Sequence, residues 1–210
     1  MDTTVESPRA THAPASDSGS KTRPARSRDQ RRLLAALTSA FIGDPPVRWL
    51  YPDPADYLEH FPAFARAFGG GALTHGTAWQ IQDHAGCALW LPPDTGPDEQ
   101  ALIALFEKSL PPARHDEAFA LFAALGAAHP TEPHWYLPLI GVDVACQGRG
   151  LGAALLGATL AVCDRDGLPA YLEATSPRNI PLYERFGFRR REPLWVGTCP
   201  PITPMWREPE

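Results

Sequence analysis

The stretch that most constrains the fold runs from 134 to 156, where an apolar run leads through closely spaced glycines into a helical pattern. This order predicts a strand end and a helix N-terminus around one small hollow. The first backbone N–H groups of a helix have no partner within it, and the helix dipole adds about half a positive charge there. Glycines at Gly148, Gly150 and Gly152 remove the side chains that would keep a phosphate from those donors. The stretch therefore predicts a diphosphate-binding cradle.

The glycine spacing separates this cradle from two common nucleotide sites. A mononucleotide P-loop requires Lys-Ser or Lys-Thr after its glycines, and neither pair follows here. A dinucleotide fingerprint requires a third glycine where Leu155 stands, although Glu173 lies about twenty residues further on, as a ribose-binding acid would. A dinucleotide-binding oxidoreductase therefore remains a rival interpretation, weakened by this spacing.

Two motifs in the second half of the chain resemble the GNAT superfamily of acetyl-CoA-dependent N-acetyltransferases. Gln147-x-x-Gly150-x-Gly152 resembles the pyrophosphate signature of that family. Residues 171–188, where an asparagine is followed by a tyrosine and Gly-Phe, resemble its later block. The likeness covers residues 134–188 and is nearest to the puromycin N-acetyltransferase branch, through its Gly-Val-Asp, Gln-Gly-x-Gly-Leu-Gly and Pro-Arg-Asn runs.

The resemblance implies an α/β GNAT fold, with one mixed, mostly antiparallel sheet of about seven strands and helices on both faces. In this fold the fourth and fifth strands splay apart and leave a ladder open for the pantetheine arm of coenzyme A. Pro138 fits a bulged or splayed strand, because proline cannot donate to a ladder; an edge strand without function is the alternative. Residues 21–210 are expected to form this acetyltransferase domain, whereas residues 1–20, rich in Ser, Thr, Ala and Pro, predict a disordered tail.

The resemblance also implies acetyl-CoA as the acetyl donor, with no metal. The cradle would hold the diphosphate with help from Arg149, and the strand end would pair with the pantetheine arm. Asn179 would contact the coenzyme or cap the following helix. The predicted coenzyme-binding residues are Val142, Asp143, Val144, Gln147, Gly148, Arg149, Gly150, Leu151, Gly152, Ala153 and Asn179.

Two residues are predicted to transfer protons. Tyr183 matches the family's acid tyrosine, and a phenol with a pKa of about 10 can protonate a departing thiolate with a pKa of about 8.5. The alternative is a tyrosine packed against Phe186 and Phe188. Glu173, a carboxylate in a predicted inner strand, would hold or deprotonate the amine, because an unpaired buried carboxylate is costly; a structural hydrogen bond is the alternative.

The implied activity is acetyl transfer to a primary amine by direct attack in a ternary complex, most readily to a small molecule. A puromycin-like aminoacyl amine, and so a role in antibiotic resistance, follows from the nearest branch. Acetylation of protein N-termini or lysines and a non-catalytic coenzyme A sensor are the alternatives. The acceptor wall is expected from the first half of the chain, with Trp49 and Tyr51 as its aromatic residues.

Composition restricts the partners. The formal net charge of −5 gives no sign of the basic surface that would bind nucleic acid or an anionic membrane, and it modestly favours a cationic substrate. The four cysteines form no C-x-x-C pair, which predicts reduced thiols. No stretch approaches the roughly 18 apolar residues of a membrane span, and the first residues lack the apolar segment of a secretory signal. We therefore expect a cytoplasmic enzyme, whose oligomeric state the sequence does not fix.

Overall fold

The computed structural model describes residues 22–210, so the predicted tail at residues 1–20 lies outside the described part. Its strands are β1 (Thr22–Pro24), β2 (Ala78–Ile81), β3 (Gly86–Leu91), β4 (Trp135–Val142), β5 (Ala170–Ala174), β6 (Arg189–Arg190) and β7 (Thr203–Arg207). Its α-helices are α1 (Gln30–Ala40), α2 (Pro45–Leu50), α3 (Pro54–Gly69), α4 (Gly71–His75), α5 (Glu99–Ser109), α6 (His115–Ala128), α7 (Leu151–Asp166) and α8 (Ile180–Arg185). Within this part of the chain, no helix combines the length and apolarity needed to cross a bilayer.

The strands form one sheet in the order β1-β2-β3-β4-β5-β7-β6, and only β4 and β5 run parallel. Apolar residues of α1 to α6 pack on one face of the sheet, and those of α7 and α8 pack on the other. Each helix buries one apolar stripe against the strands, which gives two cores separated by the sheet. This confirms the predicted mixed sheet of seven strands with helices on both faces.

The centre of the sheet opens between β4 and β5. These strands pair only at Trp135 with Ala170 and at Tyr136 with Tyr171. The register between β3 and β4 then shifts by one residue, beyond Tyr136 and before Leu139, so that β4 carries a bulge there. Pro138 lies in this bulge, where β4 no longer pairs with β5, and its missing N–H therefore removes no ladder bond. The prediction of a bulged and splayed strand is confirmed.

Three local features of the structure follow from particular residues. The segment after Asp44 is a short helix, because the Asp44 carboxylate accepts from the Val47 N–H at 3.2 Å and two prolines suit the first helical positions. Helix α3 continues through Pro62, although an interior proline removes one hydrogen bond. At the C-terminal end, β6 pairs with β7 at two residues, and one isolated bridge joins Leu194 and Ile202.

Candidate active site

The turn between β4 and α7, which contains Gly148 and Gly150 and which we call the glycine turn, exposes a set of backbone N–H donors. Gly148 and Gly150 both have φ of +75°, in the left-handed region that side chains rarely adopt. No N–H from Gly148 to Ala153 donates to an acceptor in residues 22–210. These donors lie at the positive end of the sixteen-residue helix α7. The turn therefore has the geometry of an anion-binding helix N-terminus.

Several residues of the predicted coenzyme-binding set make hydrogen bonds that shape this turn. Asp143 accepts from the Ala145 N–H at 2.9 Å, and the Gln147 side chain donates to the Val142 carbonyl at 3.0 Å. The Val144 N–H donates to the Ser39 hydroxyl at 3.2 Å. These bonds fix the strand end and the loop, so Asp143, Gln147 and Val144 have structural partners that the sequence did not indicate.

Other members of that set contribute through their backbone. Leu151 is buried in the core beneath α7, and Arg149 is exposed beside the turn. The backbone carbonyl of Asn179 accepts from Leu182 and Tyr183 at the start of α8, and its side chain makes no capping bond. The polar groups that point freely into the hollow are therefore mainly backbone N–H groups.

The unpaired edge of β4 faces the opening between β4 and β5 beyond Tyr136 and Tyr171, which we call the strand gap. The Asp143 N–H donates to the Ala85 carbonyl, towards β3, at 2.8 Å. Backbone groups alternate in direction along an antiparallel ladder, so those of Val142 and Ile140 point the other way, towards β5. Since β5 does not pair with β4 at this level, the gap presents an unpaired strand edge next to the glycine turn.

Two cavities meet beside this gap. The smaller, of about 60 Å³, reaches Pro138 and Thr175 at the splayed strands. The larger, of about 580 Å³, extends between α5, α6 and the loop before β4. Four residues line both cavities: Phe68, Phe122, Leu125 and Glu173. The carboxylate of Glu173 therefore lies at the junction between the strand gap and the larger cavity.

The predicted site residue Glu173 is buried, with 7% of its side chain exposed. Its Oε1 lies 3.9 Å from Nδ1 of His129, at the C-terminal end of α6. Burial raises the pKa values of Tyr136 and Tyr171 above their ordinary value, and the negative charge of Glu173 raises them further. Both phenols are therefore protonated at neutral pH, and the Tyr171 hydroxyl has no hydrogen-bond partner among residues 22–210.

The two histidines near Glu173 were not predicted. Nε2 of His129 and Nε2 of His134 are 3.1 Å apart, and Nδ1 of His134 lies 2.6 Å from the Glu132 carbonyl oxygen. Burial lowers the pKa of His134 below its ordinary value. The available signal was a pair of histidines on either side of the Pro-Thr-Glu-Pro turn. No grouping of three or more His, Cys, Asp or Glu suited to a metal occurs within residues 22–210.

The predicted acid Tyr183 is buried in α8, with its ring 6.1 Å from that of Phe188. Its hydroxyl makes no hydrogen bond to a residue in the range 22–210, and it lines neither cavity. Burial raises the pKa of Tyr183 above its ordinary value, and the negative charge of Asp44 raises it further. Asp44 accepts from the Thr175 hydroxyl just beyond β5, which brings its charge to the strand gap. The Tyr183 hydroxyl is therefore protonated at neutral pH.

The expected aromatic wall does not form from Trp49 and Tyr51. Tyr51 is buried, and its hydroxyl lies 2.9 Å from that of Ser109. The Trp49 indole donates to Thr198 at 2.9 Å and stacks under Arg114. Neither residue lines either cavity, because α2 turns both side chains towards neighbouring elements. The aromatic wall comes instead from α3, α5 and α6.

Comparison with known proteins agrees with this arrangement. Residues 103–188, which include the glycine turn, Glu173 and Tyr183, match the model of the acetyltransferase (GNAT) family. The part of the chain that contains the glycine turn, Glu173 and Tyr183 is therefore a GNAT-family acetyltransferase domain. Its relatives include an uncharacterized N-acetyltransferase of Schizosaccharomyces pombe, 25% identical over 206 residues, in an alignment covering 87% of this chain and 81% of the relative.

Solved structures share the fold over nearly the whole chain. One, from Corynebacterium glutamicum, is described as histone acetyltransferase HPA2 and related acetyltransferase; it is 27% identical, with a TM-score of 0.67, and the match covers 91% of this chain and 97% of that one. Arylalkylamine N-acetyltransferase 2 of Aedes aegypti is 14% identical, with a TM-score of 0.63 and coverage of 90% and 99%. An agmatine N-acetyltransferase is 15% identical, with a TM-score of 0.62 and coverage of 90% and 98%.

Proposed function

We propose that the protein transfers an acetyl group from acetyl-CoA to the primary amine of a small molecule by direct attack in a ternary complex. One observation carries this proposal. The strand gap connects the free N–H groups of the glycine turn to a buried carboxylate at the mouth of a cavity of about 580 Å³. A donor in the gap and an amine in the cavity would therefore meet beside Glu173.

The residues present fit coenzyme A. The free N–H groups from Gly148 to Ala153 suit a diphosphate, and Arg149 lies beside them to balance its charge. The backbone groups of Ile140 and the N–H of Val142 lie at the edge of β4 that β5 does not pair with, and they suit the amides of a pantetheine arm, as an added strand would. When bound there, the coenzyme supplies an acetyl thioester activated for attack by an amine.

The larger cavity fits a cationic molecule with an apolar body. Its lining includes five aromatic side chains: Phe68, Phe106, Phe119, Phe122 and Tyr136. It also includes four carboxylates, from Asp94, Glu99, Glu132 and Glu173, and within residues 22–210 neither Lys nor Arg lines it. Acidic groups with aromatic faces attract ammonium groups. Two structures with the same fold come from enzymes named for arylalkylamines and agmatine, which supports a small amine as the acceptor.

The amine must lose a proton before or during attack. For an amine with a pKa near 10.4, deprotonation at pH 7 costs about 4.6 kcal/mol. Glu173 would hold the ammonium beside the strand gap, and Tyr183 would protonate the departing thiolate. Burial keeps Tyr183 protonated, and Glu173 lies at the junction of the two cavities.

A panel of acceptors tests this proposal through the release of free thiol from acetyl-CoA. The panel contains phenylethylamine, agmatine, puromycin and a lysine-containing histone-tail peptide. We expect phenylethylamine to exceed the peptide in kcat/KM by about tenfold or more, because a cavity of about 580 Å³ accommodates a compact ligand. Preference for the peptide would instead indicate a protein acetyltransferase. Binding of acetyl-CoA without turnover of any amine would indicate a sensor, and thermal stabilisation by NAD alone would indicate an oxidoreductase.

Gly152 provides a test of coenzyme binding that leaves the fold intact. A methyl group at Gly152 would meet nothing closer than Leu182 and Val142, both at 3.9 Å, and alanine is favoured over glycine in a helix by about 1 kcal/mol. We therefore expect Gly152→Ala to retain or raise the melting temperature. The same methyl would lie among the free N–H groups, so affinity for coenzyme A should fall by about tenfold or more.

Calorimetric titration with coenzyme A and thermal unfolding measure the two effects separately. Ala161→Ser is the matched control, because it adds one heavy atom at an exposed position further along α7. It should leave affinity unchanged. Undiminished affinity in Gly152→Ala would place the diphosphate elsewhere.

A further inference from the structure

We propose that His129 is the proton-accepting base for the amine, that Glu173 holds the ammonium, and that His134 fixes the tautomer of His129. This inference rests on the proposed function, because it assumes an amine acceptor. His129 is the residue that would touch the substrate, since it lines the larger cavity and its side chain is 29% exposed. His134 is a positioning residue behind it.

The hydrogen positions follow from the contacts, starting at the Glu132 carbonyl. A carbonyl oxygen only accepts hydrogen bonds, so Nδ1 of His134, 2.6 Å away, must carry a hydrogen. The imidazole of His134 is buried, and burial lowers its pKa. In the neutral ring, the other nitrogen, Nε2, therefore has a free lone pair.

That lone pair determines the state of His129. Nε2 of His134 can only accept, so Nε2 of His129, at 3.1 Å, must donate. The free lone pair of neutral His129 is therefore on Nδ1, the nitrogen that faces Glu173. The separation of 3.9 Å from Oε1 is too long for a direct hydrogen bond.

The Nδ1 lone pair of His129 and the Glu173 carboxylate thus face one position, with no hydrogen bond between them. An ammonium group placed there would donate one N–H to Glu173 and another to Nδ1 of His129. Histidine is the side chain that most often serves as a general base in enzymes, so we assign the proton to Nδ1 of His129. The negative charge of Glu173 would then stabilise the imidazolium that forms.

The reaction step balances with these groups. The ammonium first gives one proton to Nδ1 of His129, which passes it to solvent through the cavity that His129 lines. The neutral amine nitrogen then forms a bond to the acetyl carbon and gives a second proton to Nδ1. The carbon–sulfur bond breaks, and the thiolate takes the hydroxyl proton of Tyr183. His129 returns the second proton to solvent through the cavity that it lines, and Tyr183 regains its proton from solvent once coenzyme A leaves the strand gap.

The surroundings of His129 are aromatic and carry little positive charge. The rings of Tyr136 and Tyr171 lie 4.8 Å and 4.9 Å from the His129 ring, both edge-on, and limit access by water. The titratable and charged groups that face this cluster from the packed elements are Glu132, His134, Tyr136, Tyr171, Glu173 and, through Tyr171, Arg191. Both tyrosines stay neutral at working pH because their pKa values are raised, so Glu173 provides the charge nearest to Nδ1.

A measurement that uses no acceptor tests the tautomers. Nitrogen-15 NMR of the imidazole rings at pH 8 should show His129 with hydrogen on Nε2 and His134 with hydrogen on Nδ1. In the His134→Phe variant, His129 should lose its preference for the Nε2 hydrogen. The opposite tautomer of His129 in the unaltered protein would overturn the inference.

A kinetic measurement tests the base with phenylethylamine and acetyl-CoA as probes. His129→Ala should lower kcat/KM by about a hundredfold to ten-thousandfold, with unchanged affinity for coenzyme A. Adding free imidazole should raise the rate of the His129→Ala variant by about tenfold or more, a recovery that a purely structural defect would not show. His75→Ala, at an exposed position in α4, is the matched control and should keep the original rate.

The two proposals can fail separately. If the unaltered protein turns over no amine, the proposed function fails, while the NMR result still decides the hydrogen positions at His129. If the unaltered protein acetylates phenylethylamine and His129→Ala does so at the same rate, the assignment of His129 fails and the proposed function stands.

Discussion

Replacing Tyr183 by phenylalanine should slow thiol release from acetyl-CoA, in the presence of an amine, by about a hundredfold to ten-thousandfold. The variant loses the one hydroxyl that we assign to the departing thiolate, and it keeps the ring that packs against Phe188. Because burial and Asp44 raise the pKa of Tyr183 above its ordinary value, this acid should stay protonated throughout the neutral range. No fall in rate from its ionisation is therefore expected below about pH 10.

Stopped-flow detection of free thiol measures this effect, and titration with coenzyme A shows whether binding is preserved. Tyr51→Phe is the matched control, because it removes another buried hydroxyl that lies outside both cavities. It should lower the free energy of unfolding by about 1 kcal/mol through loss of the contact with Ser109, and leave the rate unchanged. An unaltered rate in Tyr183→Phe would remove this residue from the mechanism.

The parts of the site that the sequence predicted depend on local conformation. Gly148 and Gly150 adopt positive φ, which few other residues tolerate, so their spacing alone indicated the turn. Gly167 ends α7 in the same left-handed conformation. Pro138 was compatible with the splayed strand that the family resemblance implied, because its missing N–H excludes a regular central ladder. In each case one residue type restricts the backbone independently of distant contacts.

The parts that were missed depend on contacts between distant segments. His129 reaches Glu173 only because the end of α6 packs against β5, 44 residues further along the chain. Ser39 likewise reaches the Val144 N–H from the far end of the first helix, 105 residues away. Such pairings leave no periodic signal, because polar residues near chain turns are common. The acceptor cavity could therefore not be assigned to particular residues from the sequence.

Replacing Glu173 by glutamine should impair amine acetylation while leaving coenzyme A affinity unchanged. The amide has nearly the same size, but it removes the negative charge that would face the ammonium and the imidazolium at the cavity junction. Loss of one partner of a buried charge pair costs about 2 to 5 kcal/mol, which corresponds to roughly a thirtyfold to several-thousandfold fall in kcat/KM. Steady-state kinetics with phenylethylamine measures this, and thermal unfolding checks that the fold is retained.

Glu107→Gln is the matched control, because Glu107 is exposed on α5 and lines neither cavity. It should change kcat/KM by less than about threefold, in keeping with a screened surface charge. A double-mutant cycle between Glu173→Gln and His129→Ala then tests whether the two residues act on the same proton. Groups that act as a unit are strongly non-additive, so the double variant should be little slower than the slower single variant. Additive losses would mean that Glu173 and His129 act independently, and an unchanged rate in Glu173→Gln would mean that the amine binds elsewhere.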